Sequence, residues 1–245
     1  MPPLKSYLAA LLGLTLPFAA VRAQESDSPP VSPVMREVSP GIYEIGKIHL
    51  DQKARTVRFP GVLNMKDGNL EYLLVTDQGN VHESLLVSDI QPNDLHFAML
   101  LLGAKGSGDK GPGEIPPSQI DAKYLKAAPP MKGDRINITV EWKAGDAVKS
   151  APVEDWIVNT TRKKPMERGP CIYNGSMFNE GRFLAQLEGA FAALVTYPAA
   201  LINNPRPGHD DDSIWMVNEK AVPAVKTPVD ITIQLLPATD AKATP

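Results

Sequence analysis

An uncharged, mostly apolar run over residues 7–20 stands near the start of the chain, behind Lys5 and ahead of Val21-Arg22-Ala23. A positive start, an apolar centre and modest or small residues at the −3 and −1 positions are the three parts of a secretory signal. The run is short of the ~20 residues a spanning helix needs, and Pro17 interrupts it. The pattern predicts a cleaved signal over residues 1–23, Gln24 as the new N-terminus, and no membrane insertion after cleavage. Residues 24–40, rich in Pro, Ser and acidic side chains, read as a disordered arm.

From Gly41 onward the apolar positions fall into short runs punctuated by Gly and Pro. Residues 56–59 and 62–65 read as extended, bent at Pro60-Gly61. Residues 70–76 and 81–88 are β-rich and separated by Asp77-Gln78-Gly79-Asn80, which predicts an antiparallel hairpin. Pro92 and Asp94 before the apolar run 95–102, with Gly103 after it, mark a helix. That helix is apolar nearly all round, which predicts burial on most sides. Residues 103–117 read as a long Gly- and Pro-rich loop. Further strands are expected at 135–143, 154–159, 171–178, 183–188, 193–197, 213–217 and 229–236, with one helical turn at 199–203. The fold class expected is α+β: mainly antiparallel β, as a barrel or sandwich, with one buried central helix. One domain over 41–236 and a frayed tail over 237–245 complete the plan.

Loss of residues 1–23 removes Lys5 and Arg22 and moves the formal charge from −3 to −5. A mildly acidic chain with no basic block argues against nucleic acid as a partner. Cys171 is the single cysteine. It permits no disulfide within the chain and no chain-held iron–sulfur cluster, which takes about four thiolates. Its neighbours make it a small buried hydrophobe. An exported domain without disulfides fits a bacterial periplasm or outer surface.

Candidate chemistry is sparse. His82-Glu83 opens like a zinc-protease helix, but Leu86 stands where the second His belongs and the segment reads as a strand. Pairing across the predicted hairpin sets Glu83 opposite Leu74 among apolar neighbours, which calls for a raised pKa or a partner such as Arg58. His96, in the apolar helix, reads as a satisfied core histidine, and the strand and helix rises keep it too far from His82 for a shared ion. The 103–110 loop fails as a phosphate loop: Asp109 separates Gly108 from Lys110, and no Ser or Thr follows. No nucleotide is predicted. His209, Asp210, Asp211 and Asp212 form the best metal candidate, an acidic cluster whose carboxylates could hold Ca²⁺, although the spacing is not that of an EF-hand and a solvated turn is the favoured reading.

Several segments together resemble the YdjY-domain family of bacterial exported proteins. They are Asn64-Met65 with 70–75, 82–87, 95–103, Gly175-Ser176 before Phe178, and 198–205. The resemblance implies export and a soluble domain over most of 41–236. It brings no activity or catalytic residue, and directs attention to His82, Glu83 and His96. The leading reading is a non-catalytic periplasmic binding or interaction module for a protein or small-molecule partner. The competing reading is a metal-assisted or hydrolytic enzyme centred on Glu83 with His82 or His96.

Overall fold

The structure, a computed structural model, describes residues 34–107 and 131–238. The expected signal, most of the arm and most of the Gly-rich loop lie outside the described residues. Among the described residues, seventeen strands and two α-helices follow in order: β1 (Met35–Ser39), β2 (Ile42–Ile45), β3 (Ile48–Asp51), β4 (Thr56–Leu63), β5 (Tyr72–Val75), β6 (Ser84–Val87), α1 (Pro92–Leu101), β7 (Asp134–Ala144), β8 (Ala147–Pro152), β9 (Ile157–Asn159), β10 (Lys164–Pro165), β11 (Cys171–Tyr173), β12 (Phe178–Asn179), β13 (Arg182–Phe183), α2 (Leu184–Glu188), β14 (Ala190–Ala193), β15 (Ile202–Asn203), β16 (Trp215–Val217) and β17 (Pro228–Leu235).

Eight of these strands close a barrel in the order β4-β17-β7-β11-β15-β14-β5-β6, with β6 returning to β4 through Val62↔Val87 and Leu63↔Leu86. Closure satisfies the strand edges that an open sheet would leave. The meander β1-β2-β3 extends from β4, and β8 pairs with β7 alone. A small sheet, β10-β9-β16, and the hairpin β12–β13 complete the molecule.

The barrel wall follows from alternation. Along β4 the side chains of Val57, Phe59 and Leu63 are buried while Arg58, Pro60 and Val62 are exposed. β17 does the same, burying Val229, Ile231, Ile233 and Leu235. Period-2 patterning of this kind sends one face to the core. Gly61 sits on the inner face because a Cβ there would lie 2.7 Å from Ile231 Cδ1. Pro60 is tolerated because β3 pairs only as far as Arg58 and β6 begins only at Val62.

Four of these expectations change. Residues 70–76 and 81–88 do not form an antiparallel hairpin: β5 and β6 run parallel, with Tyr72↔Ser84 and Val75↔Val87. Because each strand is only four residues long, the segment 76–83 suffices to carry the chain back, and Val81–Glu83 closes it with a 3₁₀ turn. The helix is present but not central. Leu95, Ala98 and Met99 are buried, whereas Asn93 and Leu100 are exposed, and α1 packs against β3 and α2. An all-apolar sequence therefore does not mean all-round burial here; one side of α1 covers the barrel and the other remains open. Residues 184–188 are helical rather than extended: Leu-Ala-Gln-Leu-Glu favours helix, and Gly189 ends it with φ +63°. Met35–Ser39, within the expected arm, pairs with β2 as an exposed edge strand.

Candidate functional site

His82 and Glu83 lie on the 3₁₀ turn between β5 and β6, with His82 Nε2 3.6 Å from Glu83 Oε1. The His82 side chain is open to solvent and that of Glu83 is about one-third exposed. Glu83 does not face an apolar sheet surface, because the strand expected there is replaced by the turn. Arg58 is not its partner either: its guanidinium lies 2.9 Å from Asp230 and 3.0 Å from Glu141. The sequence gives no hint of Glu71, whose backbone N–H donates to Glu83 O. Burial first, then the charges of Glu83 and Asp212, push the Glu71 carboxyl up, while His82 opposes them. Glu71 thus lies within the fields of Glu83, Asp212 and His82.

His96 has different neighbours. Its Nδ1 is 2.7 Å from the Tyr173 hydroxyl, its ring stacks with Tyr173, and Phe183 lies against it at 4.9 Å between centroids. Burial holds the imidazole below its usual pKa and the Tyr173 phenol above its own.

The 209–212 segment is a turn whose groups serve the fold. His209 Nδ1 lies 2.6 Å from Thr196 Oγ1, and Asp211 Oδ1 accepts from the Ser213 N–H and hydroxyl. Among the described residues, no group of three or more His, Cys, Asp or Glu side chains is arranged to hold a metal.

The densest polar centre was not singled out by sequence. Arg206 and Glu154, both nearly buried, pair at 2.7 Å. The remaining Arg206 donors reach Glu167 O, Gly169 O, Asn204 Oδ1 and, at 3.6 Å, Cys171 Sγ, so all five guanidinium N–H groups are spent. Cys171 is buried, as expected, and burial raises its pKa against the pull of Arg206. Beside it, Asn174 donates to Ala200 O and Pro198 O, Ser176 Oγ to Ala199 O, and Asn203 to Asn174 Oδ1. Among the described residues no buried side-chain nitrogen or oxygen is left without a partner.

On the outer face of the wall a groove of about 590 Å³ crosses β4, β17 and β7 and reaches β8. Pro60, Trp142, Pro228 and Val148 give it apolar walls, and Arg58, Glu141 and Asp230 a charged flank. Val148 is 68% exposed.

A family model, the YdjY domain, matches residues 48–234. The chain belongs to the YdjY-domain family. No curated protein and no solved structure matches it. The matched span of the YdjY domain runs from β3 to β17 and so includes every strand of the barrel. Within it the segments that carried the resemblance meet in pairs. Asn64 Nδ2 donates to Val81 O and Ser84 O, tying the exit of β4 to the 3₁₀ turn and the first residue of β6. Asn174 and Ser176 hold the 198–203 segment through the bonds above. These tethers are packing devices of the YdjY domain; the match names a family and not a chemistry.

Proposed function

We propose that this YdjY domain is an exported, non-catalytic binding module that takes an extended segment of another protein onto the outer face of its barrel. The observation that carries the reading is the open edge of strand β8 lying beside the apolar groove. Among the described residues β8 pairs only with β7, so its other edge keeps unpaired backbone donors and acceptors. An added strand gains affinity from a backbone ladder and specificity from the side chains it places in an adjoining groove. Val148, opposite Lys143 on β7, stands between edge and groove. Lys149 and the terminal Pro152 are residues that discourage indiscriminate edge pairing. Export is supported by the signal-like layout of residues 1–23.

The test is a photo-crosslinking amino acid placed at position 148 and, as control, at exposed position 53, in the exporting cell. The expected result is a discrete crosslinked species from 148 alone, on a protein whose N-terminus is Gln24. The same species from both positions, or none from 148, removes the binding reading; an intact Met1 terminus removes export by cleavage.

A further inference from the structure

A second depression lies over the small sheet β10-β9-β16. It encloses about 250 Å³, and its walls include Asn159, Arg162, Lys164, Glu167, Arg206 and Trp215. The volume is at the small end for ligand pockets, suited to one compact group. Three cations face one carboxylate in this wall. Arg206 supplies rigid backing: its donors are all spent, and Glu154 offsets its charge. Arg162 and Lys164 are exposed. The one ion pair Arg162 makes is with Glu167 at 3.6 Å, both side chains more than half exposed, and Lys164 makes none among the described residues. Exposed pairs of this kind are weak and easily exchanged for a better anion.

Asn159 is the independent observation. It is only 5% exposed, and its Oδ1 accepts the Arg162 N–H, fixing the turn that presents Arg162 and Lys164. Its Nδ2 has no partner among the described residues. Yet no sealed side-chain nitrogen or oxygen is left unpaired, so this amide keeps an opening. Asn159 lines the depression, which provides that opening. A donor without a protein partner, on a residue otherwise buried and lining a depression, is open to an acceptor seated there. Two mobile cations flanking it select a negatively charged one.

We propose that Asn159, Arg162 and Lys164 form a binding site for a tetrahedral oxyanion of the phosphate class, backed by Arg206 and Trp215. Asn159 Nδ2 donates to one oxygen, and Arg162 and Lys164 bind the others. The site goes beyond the peptide groove and does not depend on it. Phosphate ion and the phosphate end of a small ester present the same oxygens, and the size of the depression admits either.

The purified full chain is titrated by calorimetry at low salt with inorganic phosphate and, separately, with glycerol 1-phosphate. The expected result is saturable one-to-one binding that weakens as salt is raised. Lys164→Glu and Asn159→Asp should each weaken it at least about tenfold, the factor expected for losing one charge-assisted hydrogen bond. Lys53→Glu, of equal charge change elsewhere, should leave it unaltered. Tighter binding of the ester identifies an esterified ligand, and equal binding a free ion; both uphold the site. Lys164→Glu changes an exposed residue and does not threaten folding, so the test stands even where Asn159→Asp unfolds the chain. No saturable binding of either compound, or binding weakened equally by Lys53→Glu and Lys164→Glu, overturns the proposal.

Discussion

The turn carrying His82 and Glu83 and the centre around Arg206 are opposites. The first collects the residue types associated with chemistry, yet its imidazole is open to solvent and its ion pair is loose at 3.6 Å. The second holds an arginine and a glutamate in the interior, with every donor of the arginine engaged. Polar side chains at the surface are cheap to keep and say little about function. A charged pair in the interior persists only where its hydrogen bonds are complete, and so reports what the fold depends on.

The strongest way to break the comparison is to remove one member of the buried pair. Arg206→Met leaves the Glu154 carboxylate without its cation, and unfolding in urea should show a loss of about 3–5 kcal/mol. The double variant with Glu154→Leu should be less destabilised than Arg206→Met alone. A double variant as unstable as the sum of the two singles would show that the pair does not act as a unit.

Next comes Asn174→Ala, which frees the carbonyls of Pro198 and Ala200 and the Asn203 amide. The expected loss is about 2–3 kcal/mol, read as a lower urea midpoint with unchanged slope. A change within error would mean that water replaces the amide and that this network contributes little.

His96 gives a pH dependence of smaller size. Its folded pKa lies below the usual 6.5, because burial disfavours the charged ring. The unfolded chain therefore takes up the proton first as pH falls. The contribution of His96 is present above 6.5 and is lost as pH drops through the folded value. The raised carboxyls of Glu71 and Asp94 act in the opposite direction at lower pH. Comparing wild type with His96→Gln between pH 7.5 and 5.5 isolates the histidine. The wild type should lose more stability over that interval than the variant, and equal losses would show that His96 does not contribute.

The smallest effects belong to the two turns at 81–83 and 209–212. His82→Ala, Glu83→Gln and Asp210→Asn should each stay within about 0.5 kcal/mol in the same urea assay. A loss above about 1 kcal/mol in any of them would put structural weight on the residues that look chemical.

What sequence made legible follows the range of each interaction. The alternation in 56–63 and 228–235 is local, and the wall strands β4 and β17 follow from it. Asp77-Gln78-Gly79-Asn80 is also local, but a turn signal says that the chain reverses, not which neighbour it then joins. After the turn the chain continues through Val81–Glu83 and starts β6 beside the beginning of β5. The helix was visible from Pro92, Asp94 and Gly103, but its exposed side was not, because burial depends on what packs against each face. Glu154 and Arg206 stand 52 positions apart, and nothing near either one announces the other. Glu71 meets Asp212 on the same terms. His96 was readable as a core histidine from its apolar surroundings, although Tyr173 was not foreseeable as its partner.

One element of the wall bears on how the chain is made. β17 lies between β4 and β7, although more than 160 residues separate β4 from it in sequence. Until residues 228–235 are synthesised, β4 and β7 each lack the neighbour that satisfies their backbone on that side. A nascent chain therefore cannot complete its barrel early, however many of its other strands exist. Pairings across such sequence distances form slowly, so closure of the wall waits on residues 228–235. The strand that seals the wall also sets the earliest moment at which the barrel can close.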